Sequence, residues 1–166
     1  MSKPVPFSTT IEVRDTCLCL HVQRAARVLA RLFDEALQPF DLTNGQFSLL
    51  MALNRPHPPR LRPVAHLLGM DRTTLTAALK PLQRQGLVEV RPDPEDGRSR
   101  LLLLTQEGEA RLAAAVPVWR AVHARIEAAL PGGDAAALRA GLVALGTRPG
   151  EEAQGAKSSE RAQPYT

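Results

Sequence analysis

Leu61–Thr105 reads LRPVAHLLGMDRTTLTAALKPLQRQGLVEVRPDPEDGRSRLLLLT. Pro63–Leu68 is a short helical pattern with Val64, Ala65, Leu67 and Leu68 apolar, and Gly69–Met70 breaks it. Asp71 then stands where a carboxylate accepts the unpaired N–H groups of a helix's first turn. Leu75, Ala78, Leu79 and Leu82 recur at helical spacing and predict one buried face. Arg72, Thr73, Thr76 and Lys80 fall elsewhere on that helix and face out. Gly86 suits the position just past its end. Two short strand-like runs follow, Leu87–Arg91 and Arg100–Leu104, joined by the Pro/Asp/Gly-rich loop Pro92–Arg98, which suits a hairpin. Helix, turn, helix, hairpin is the order of a winged helix-turn-helix, a module that lays its second helix in the DNA major groove.

Asp93-Pro94-Glu95-Asp96-Gly97-Arg98-Ser99, followed by Leu104-Thr105-x-x-Gly108, resembles the wing signature of the multiple antibiotic resistance regulator (MarR) family. Thr73-Thr74-Leu75-Thr76 and Gln85-Gly86-Leu87-Val88 are similar to that family's recognition helix and its exit. The resemblance runs from about Thr16 to about Leu145. It implies a mostly α fold with a small β-hairpin wing and a helical dimerisation region formed by both termini. The expected division is an N-terminal arm 1–9, a MarR-type domain 10–146 and a disordered tail 147–166. Within the domain, the winged helix-turn-helix covers 43–104 and the dimerisation helices 10–38 and 106–146.

Composition agrees with such a chain without demanding it. At 166 residues there is room for one domain with helical extensions. Aromatics are 4% of the sequence, so the core must be built from Leu, Val and Ala. A net charge of +4 permits a polyanionic partner. No apolar run approaches the roughly 18 residues of a membrane span, and MSKPVPFSTT lacks the apolar core of a signal peptide. The expectation is a cytoplasmic protein with no membrane contact.

Along the chain, Met1–Ser8 has two prolines and no pattern. Thr10–Leu37 reads as one long helix, with Leu18, Val22, Ala25, Leu29, Leu32, Phe33, Ala36 and Leu37 in a band broad enough for two surfaces. Arg24, Arg27 and Arg31 form a basic stripe, read as a solvated face, with Arg27 beside a ligand pocket or paired with an acid as the alternative. Thr43-Asn44-Gly45-Gln46 has capping-box spacing ahead of a short buried helix. Asn54–Arg60, with three prolines in seven residues, is a stiff non-helical connector. Where the family often carries Ser or Thr to cap the next helix, this chain has Arg60. Pro81 and Pro117 lie inside predicted helices and should bend them. Thr105 caps the helix Gln106–Leu130, and Asp134 caps a last helix, Ala135–Leu145. The apolar surplus on the first and last helices predicts a homodimer. Its two recognition helices would lie about one DNA turn apart on an inverted-repeat operator.

The candidate DNA contacts are Arg72, Thr73, Thr74, Thr76 and Lys80 on the recognition helix. Arginine reads guanine O6/N7, and a threonine methyl packs on thymine; Lys80 is placed for a phosphate, and Thr74 for capping. In the wing, Arg98 suits a narrow A·T minor groove. The resemblance gives Asp96 the role of holding its guanidinium. Arg100 is divided between phosphate contact and an exposed strand residue. By resemblance, a small effector binds between the dimerisation helices and the DNA module, and family effectors are often aromatic carboxylates or phenols. His21, Arg24, Phe47, Met51 and Trp119 are the candidates for that pocket.

Cys19 falls where a subset of the family carries a hydroperoxide-sensing cysteine. The tyrosines that support that thiolate correspond to Gln23 and Phe33 here, so a small buried apolar role competes with sensing. Cys17 and Cys19, two apart on one helix, would point to different faces and form no internal disulfide. Cys17 and His21 share a face, but two ligands are too few for a metal. With no nucleophile elbow, phosphate loop, metal pair or cofactor glycine motif, neither an enzyme nor a cofactor is expected. The function expected is a dimeric, sequence-specific transcription regulator on double-stranded DNA, a repressor released by a small effector. A thiol switch at Cys19 and a winged-helix protein-interaction module are the alternatives.

Overall fold

The computed structural model describes residues 4–146. Residues 1–3 and the tail expected over 147–166 lie outside the described residues. The chain divides into two units, Met1–Val122 and His123–Thr166. The element order is α1 (Phe7–Thr16), α2 (Leu18–Leu37), a 3-10 turn (Gln38–Phe40), α3 (Asn44–Leu53), α4 (Leu61–Leu67), α5 (Arg72–Arg84), β1 (Val88–Pro92), β2 (Arg100–Leu104), α6 (Gln106–Ala128) and α7 (Ala135–Gly146). No helix among the described residues is long and apolar enough to cross a membrane.

The first unit is assembled around leucines. Leu37, Leu49, Leu50, Val64, Leu75, Leu79, Leu82, Leu87 and Leu102 are its largest fully buried side chains. Each leucine contributes about 1.5–3 kcal/mol relative to an exposed position. They come from α2, α3, α4, α5 and the hairpin, so α3 packs on α2, α4 and β2, while α5 packs on α4 and β1. The hairpin is antiparallel, with Val88 opposite Leu104 and Pro92 opposite Arg100.

Local chemistry sets the ends of these helices. Thr43 accepts the Gln46 N–H at 3.2 Å while Gln46 accepts the Thr43 N–H at 2.9 Å, a complete capping box. Asp71 caps α5 by accepting the Thr74 N–H at 2.7 Å. Gly86, at φ 71°, closes it in a left-handed turn. There the Leu87 N–H reaches the Leu82 carbonyl and the Gly86 N–H the Gln83 carbonyl. The helix continues through Pro81, and α6 through Pro117.

The long first helix expected over Thr10–Leu37 is two helices. Cys17 lies between them in an extended conformation, φ −73° and ψ 104°. The Thr16 hydroxyl donates to the Glu12 carbonyl at 2.8 Å, a back-bond that competes with the helical ladder and bends it. Helix begins at Phe7, after Pro6, so residues 7–9 of the expected arm are helical. Cys17 also leaves the helix geometry on which the different-faces argument for the two cysteines stood.

Along α2, Leu18, Val22, Leu29 and Leu32 are 65%, 40%, 38% and 38% exposed. With Ala25 they follow a 4-3-4-3 spacing, the seam of a helix that pairs with another. In the second unit, Gly132 and Gly133 (φ 79° and 70°) turn the chain into α7, whose Ala137 N–H is capped by Asp134 at 2.7 Å. Arg139 pairs with Glu127, and Leu138, Leu142 and Leu145 are exposed.

Candidate DNA-binding site

The site begins with how α5 is held. Leu75, Leu79 and Leu82 are buried on one side, which leaves Arg72, Thr73, Thr76 and Lys80 exposed on another. Among the described residues Arg72, Thr73 and Lys80 have no side-chain hydrogen bond or ion pair, so their donors face no competing protein partner there. Two threonines are committed within the helix. The Thr76 hydroxyl donates to the Arg72 carbonyl at 2.7 Å. The Thr74 hydroxyl donates to Asp71 Oδ2 at 2.8 Å, so Thr74 belongs to the cap. These bonds from Thr74 hold the Asp71 carboxyl below the usual carboxylate range.

Between the strands, the wing tip is two successive turns. The Asp96 N–H donates to the Asp93 carbonyl at 3.3 Å and the Ser99 N–H to the Asp96 carbonyl at 2.8 Å. Asp96 holds the turn through the Ser99 hydroxyl and the Arg98 main-chain N–H rather than the guanidinium expected of it. Its Oδ2 accepts from the Ser99 hydroxyl at 2.7 Å and its Oδ1 from the Arg98 N–H at 3.1 Å. Those two donors keep the Asp96 carboxyl ionised below its ordinary range. The Arg98 side chain is exposed and, among the described residues, makes no hydrogen bond or ion pair. Arg100, exposed opposite Pro92, stands at the base of the loop.

A cavity of about 380 Å³ lies beside this module. Phe47, Ser48, Met51 and Ala52 of α3, Leu67 and Leu68, and Val116, Trp119 and Arg120 of α6 line it. Phe47 and Trp119 stack with ring centroids 6.0 Å apart and planes at 18°, which makes one wall flat and aromatic. Among the described residues Arg120 is the one charged side chain in the lining.

The MarR family profile matches residues 40–99. The M. tuberculosis transcriptional regulator MosR, solved in complex with DNA, is 37% identical and superposes with a TM-score of 0.72, covering 88% of this chain and 99% of its own. The transcriptional repressor NicR of Pseudomonas putida is 30% identical over 120 residues, 71% of this chain and 75% of NicR. This chain belongs to the MarR family. The organic hydroperoxide resistance transcriptional regulator of Bacillus subtilis is 29% identical over 91 residues, 55% of this chain and 62% of that one. The chain spans 65%, 62% and 54% of the length of three curated relatives it matches. These relatives are transcriptional regulators, not enzymes.

Within this MarR chain, the residues named from sequence separate into groups. Arg72, Thr73, Thr76 and Lys80 share the exposed side of α5, and Arg98 and Arg100 lie two residues apart, the first in the wing loop and the second at the start of β2. Of the five pocket candidates, Phe47, Met51 and Trp119 line one cavity; His21 and Arg24 do not. His21 Nδ1 sits 2.9 Å from the Cys17 carbonyl, and Arg24 is exposed on α2. Both lie on α2, which contributes no residue to the cavity lining. Arg120 was missed because a lone arginine in an amphipathic helix carries no local signal. Asp93, 4% exposed, was named only as part of the wing signature, with no role of its own. Cys17 and Cys19 are free thiols, and no group of three or more His, Cys, Asp or Glu among the described residues is arranged to hold a metal.

Proposed function

We propose that this chain is a dimeric, sequence-specific DNA-binding transcription regulator, a repressor released by a small apolar acid. The observation that carries this reading is the exposed set of Arg72, Thr73 and Lys80, whose donors have no partner among the described residues, on a helix locked by buried leucines. The free guanidinium of Arg98 extends that set at the wing. The recognition helix would enter the major groove and Arg98 the adjacent minor groove. Pairing through the α2 seam and α7 would set two such modules on an inverted repeat. The stacked Phe47–Trp119 wall with Arg120 fits a flat aromatic anion. Such a ligand would act by preferring a conformation whose recognition helices are wrongly spaced. A regulator of this kind works in the cytoplasm.

The test is fluorescence anisotropy on the DNA upstream of its own gene, against a scrambled duplex, across salt concentrations. Binding should favour the native duplex and fall steeply with salt. Equal, salt-insensitive binding to both would instead support a protein-interaction module. Arg98→Ala should weaken specific binding by roughly 1–3 kcal/mol; unchanged affinity would remove the wing from the interface.

One observation favours a thiol-switched variant of this reading. Gln23 Nε2 donates to Cys19 Sγ at 3.1 Å, which supplies a donor that the sequence correspondence assigned to a tyrosine. Similarity to the hydroperoxide regulator points the same way. Peroxide should then lower DNA affinity in the wild type and leave Cys19→Ser unaffected; equal loss in both would dismiss the switch.

A further inference from the structure

Residue 60 stands at the N-cap of α4, yet its side chain caps nothing. It crosses instead to the wing. Arg60 Nε donates to Asp93 Oδ2 at 2.6 Å, and Arg60 Nη2 lies 3.7 Å from Glu95 Oε2. The main chain makes the same crossing: Arg60 bridges Leu101 of β2, and the Leu102 N–H donates to the Pro59 carbonyl at 3.0 Å. Asp93 is the hub of the turn. Its Oδ1 accepts the Glu95 N–H at 2.9 Å, its own N–H donates to the Ser99 carbonyl at 3.1 Å, and its carbonyl accepts from Asp96. Its carboxylate is buried whereas Arg60 is about half exposed.

We infer that Arg60 is a positioning residue for DNA recognition, anchoring the wing to α4 through Asp93 so that Arg98 is presented at a fixed place relative to the recognition helix. The chemistry requires arginine. A planar fork addresses two carboxylates from Nε and Nη2, whereas a lysine offers one point of charge. Asp93 is held ionised by the Glu95 N–H and by Arg60, against the opposing effect of burial. A wing cut loose from this anchor still carries Arg98, but the guanidinium is spread over many positions and binds with an entropic cost.

The inference rests on the wing reading above, and a double-mutant cycle separates the two. Wild type, Arg60→Met, Arg98→Ala and the double variant are titrated against the duplex that wild type binds most tightly. Arg60→Met should weaken binding by roughly tenfold, and by less than about twofold further in the Arg98→Ala background. Effects that multiply fully would make Arg60 an independent contact and overturn the inference, as would an Arg60→Met variant of wild-type affinity. An Arg98→Ala variant of unchanged affinity would sink the wing reading itself. Hydrogen exchange on the free, full-length protein supplies a readout that needs no DNA. Arg60→Met should speed exchange of the Asp93–Ser99 amides by about tenfold or more while the α5 amides keep their protection. Unaltered exchange in the turn, or equal loss in α5, would overturn the inference.

Discussion

Gly108→Ala is expected to destabilise the chain by about 3 kcal/mol or more, at the upper end of what overpacking costs. A Cβ at residue 108 would lie 2.1 Å from the Leu87 carbonyl oxygen and 3.1 Å from its carbon. Those atoms are main chain, so no rotamer change relieves the clash. Leu87 is itself fully buried and ends the left-handed turn that closes α5. Its N–H is tied to Leu82 and its carbonyl accepts the Thr105 N–H at 3.1 Å. Relief must therefore come from lifting α6 away from the recognition helix. Urea unfolding monitored by circular dichroism checks this; a midpoint corresponding to less than about 0.5 kcal/mol of change, the size of an ordinary surface substitution, would show that the joint yields. DNA affinity should fall with stability, because the lifted helix also redirects α5.

The second large effect is expected from Leu29→Glu. Leu29 is 38% exposed in the single chain, so a carboxylate there meets solvent and leaves the leucine core of the first unit intact. In a dimer paired along Leu18, Val22, Ala25, Leu29 and Leu32 it would bury two like charges at a two-fold seam. The variant should elute as a folded monomer in size-exclusion chromatography with light scattering. Losing the second DNA module should cost roughly 10²–10⁴-fold in affinity for an inverted repeat. A variant that remains dimeric, with wild-type affinity, would place the dimer contact elsewhere.

What the sequence showed in advance was largely what short-range chemistry decides. The Thr43–Gln46 box, the Asp71 cap, Gly86 and the hairpin each involve residues within a few positions of one another. Their geometry follows from residue type and spacing. The break at Cys17 escaped because the apolar band read for that stretch begins at Leu18, just beyond it, and a hydroxyl back-bond leaves no mark on such a pattern. Arg60 and Asp93 are 33 positions apart, and only the crossing of the connector over β2 brings them together. The cavity draws its walls from α3, α4 and α6. Phe47, Met51 and Trp119 were foreseeable as large side chains on the helices that form it, whereas His21 and Arg24 lie on α2, which lends it no residue.

Thr105 gives one hydroxyl two tasks. It donates to the Gly86 carbonyl at 2.6 Å, just past the end of α5, and accepts the Gly108 N–H at 3.0 Å in the first turn of α6. The end of one helix and the start of the next thus share an oxygen, with no slack residue between them to absorb rotation. Such a joint behaves as a crank. The 13 residues of α5 make an arm about 20 Å long at 1.5 Å per residue. A tilt of about 5° applied at α6 would carry the arm's far end, where Arg72 sits, through nearly 2 Å. That exceeds the tolerance of a hydrogen bond to a base edge, so an angle too small to disturb the core is large enough to spoil the reading of DNA.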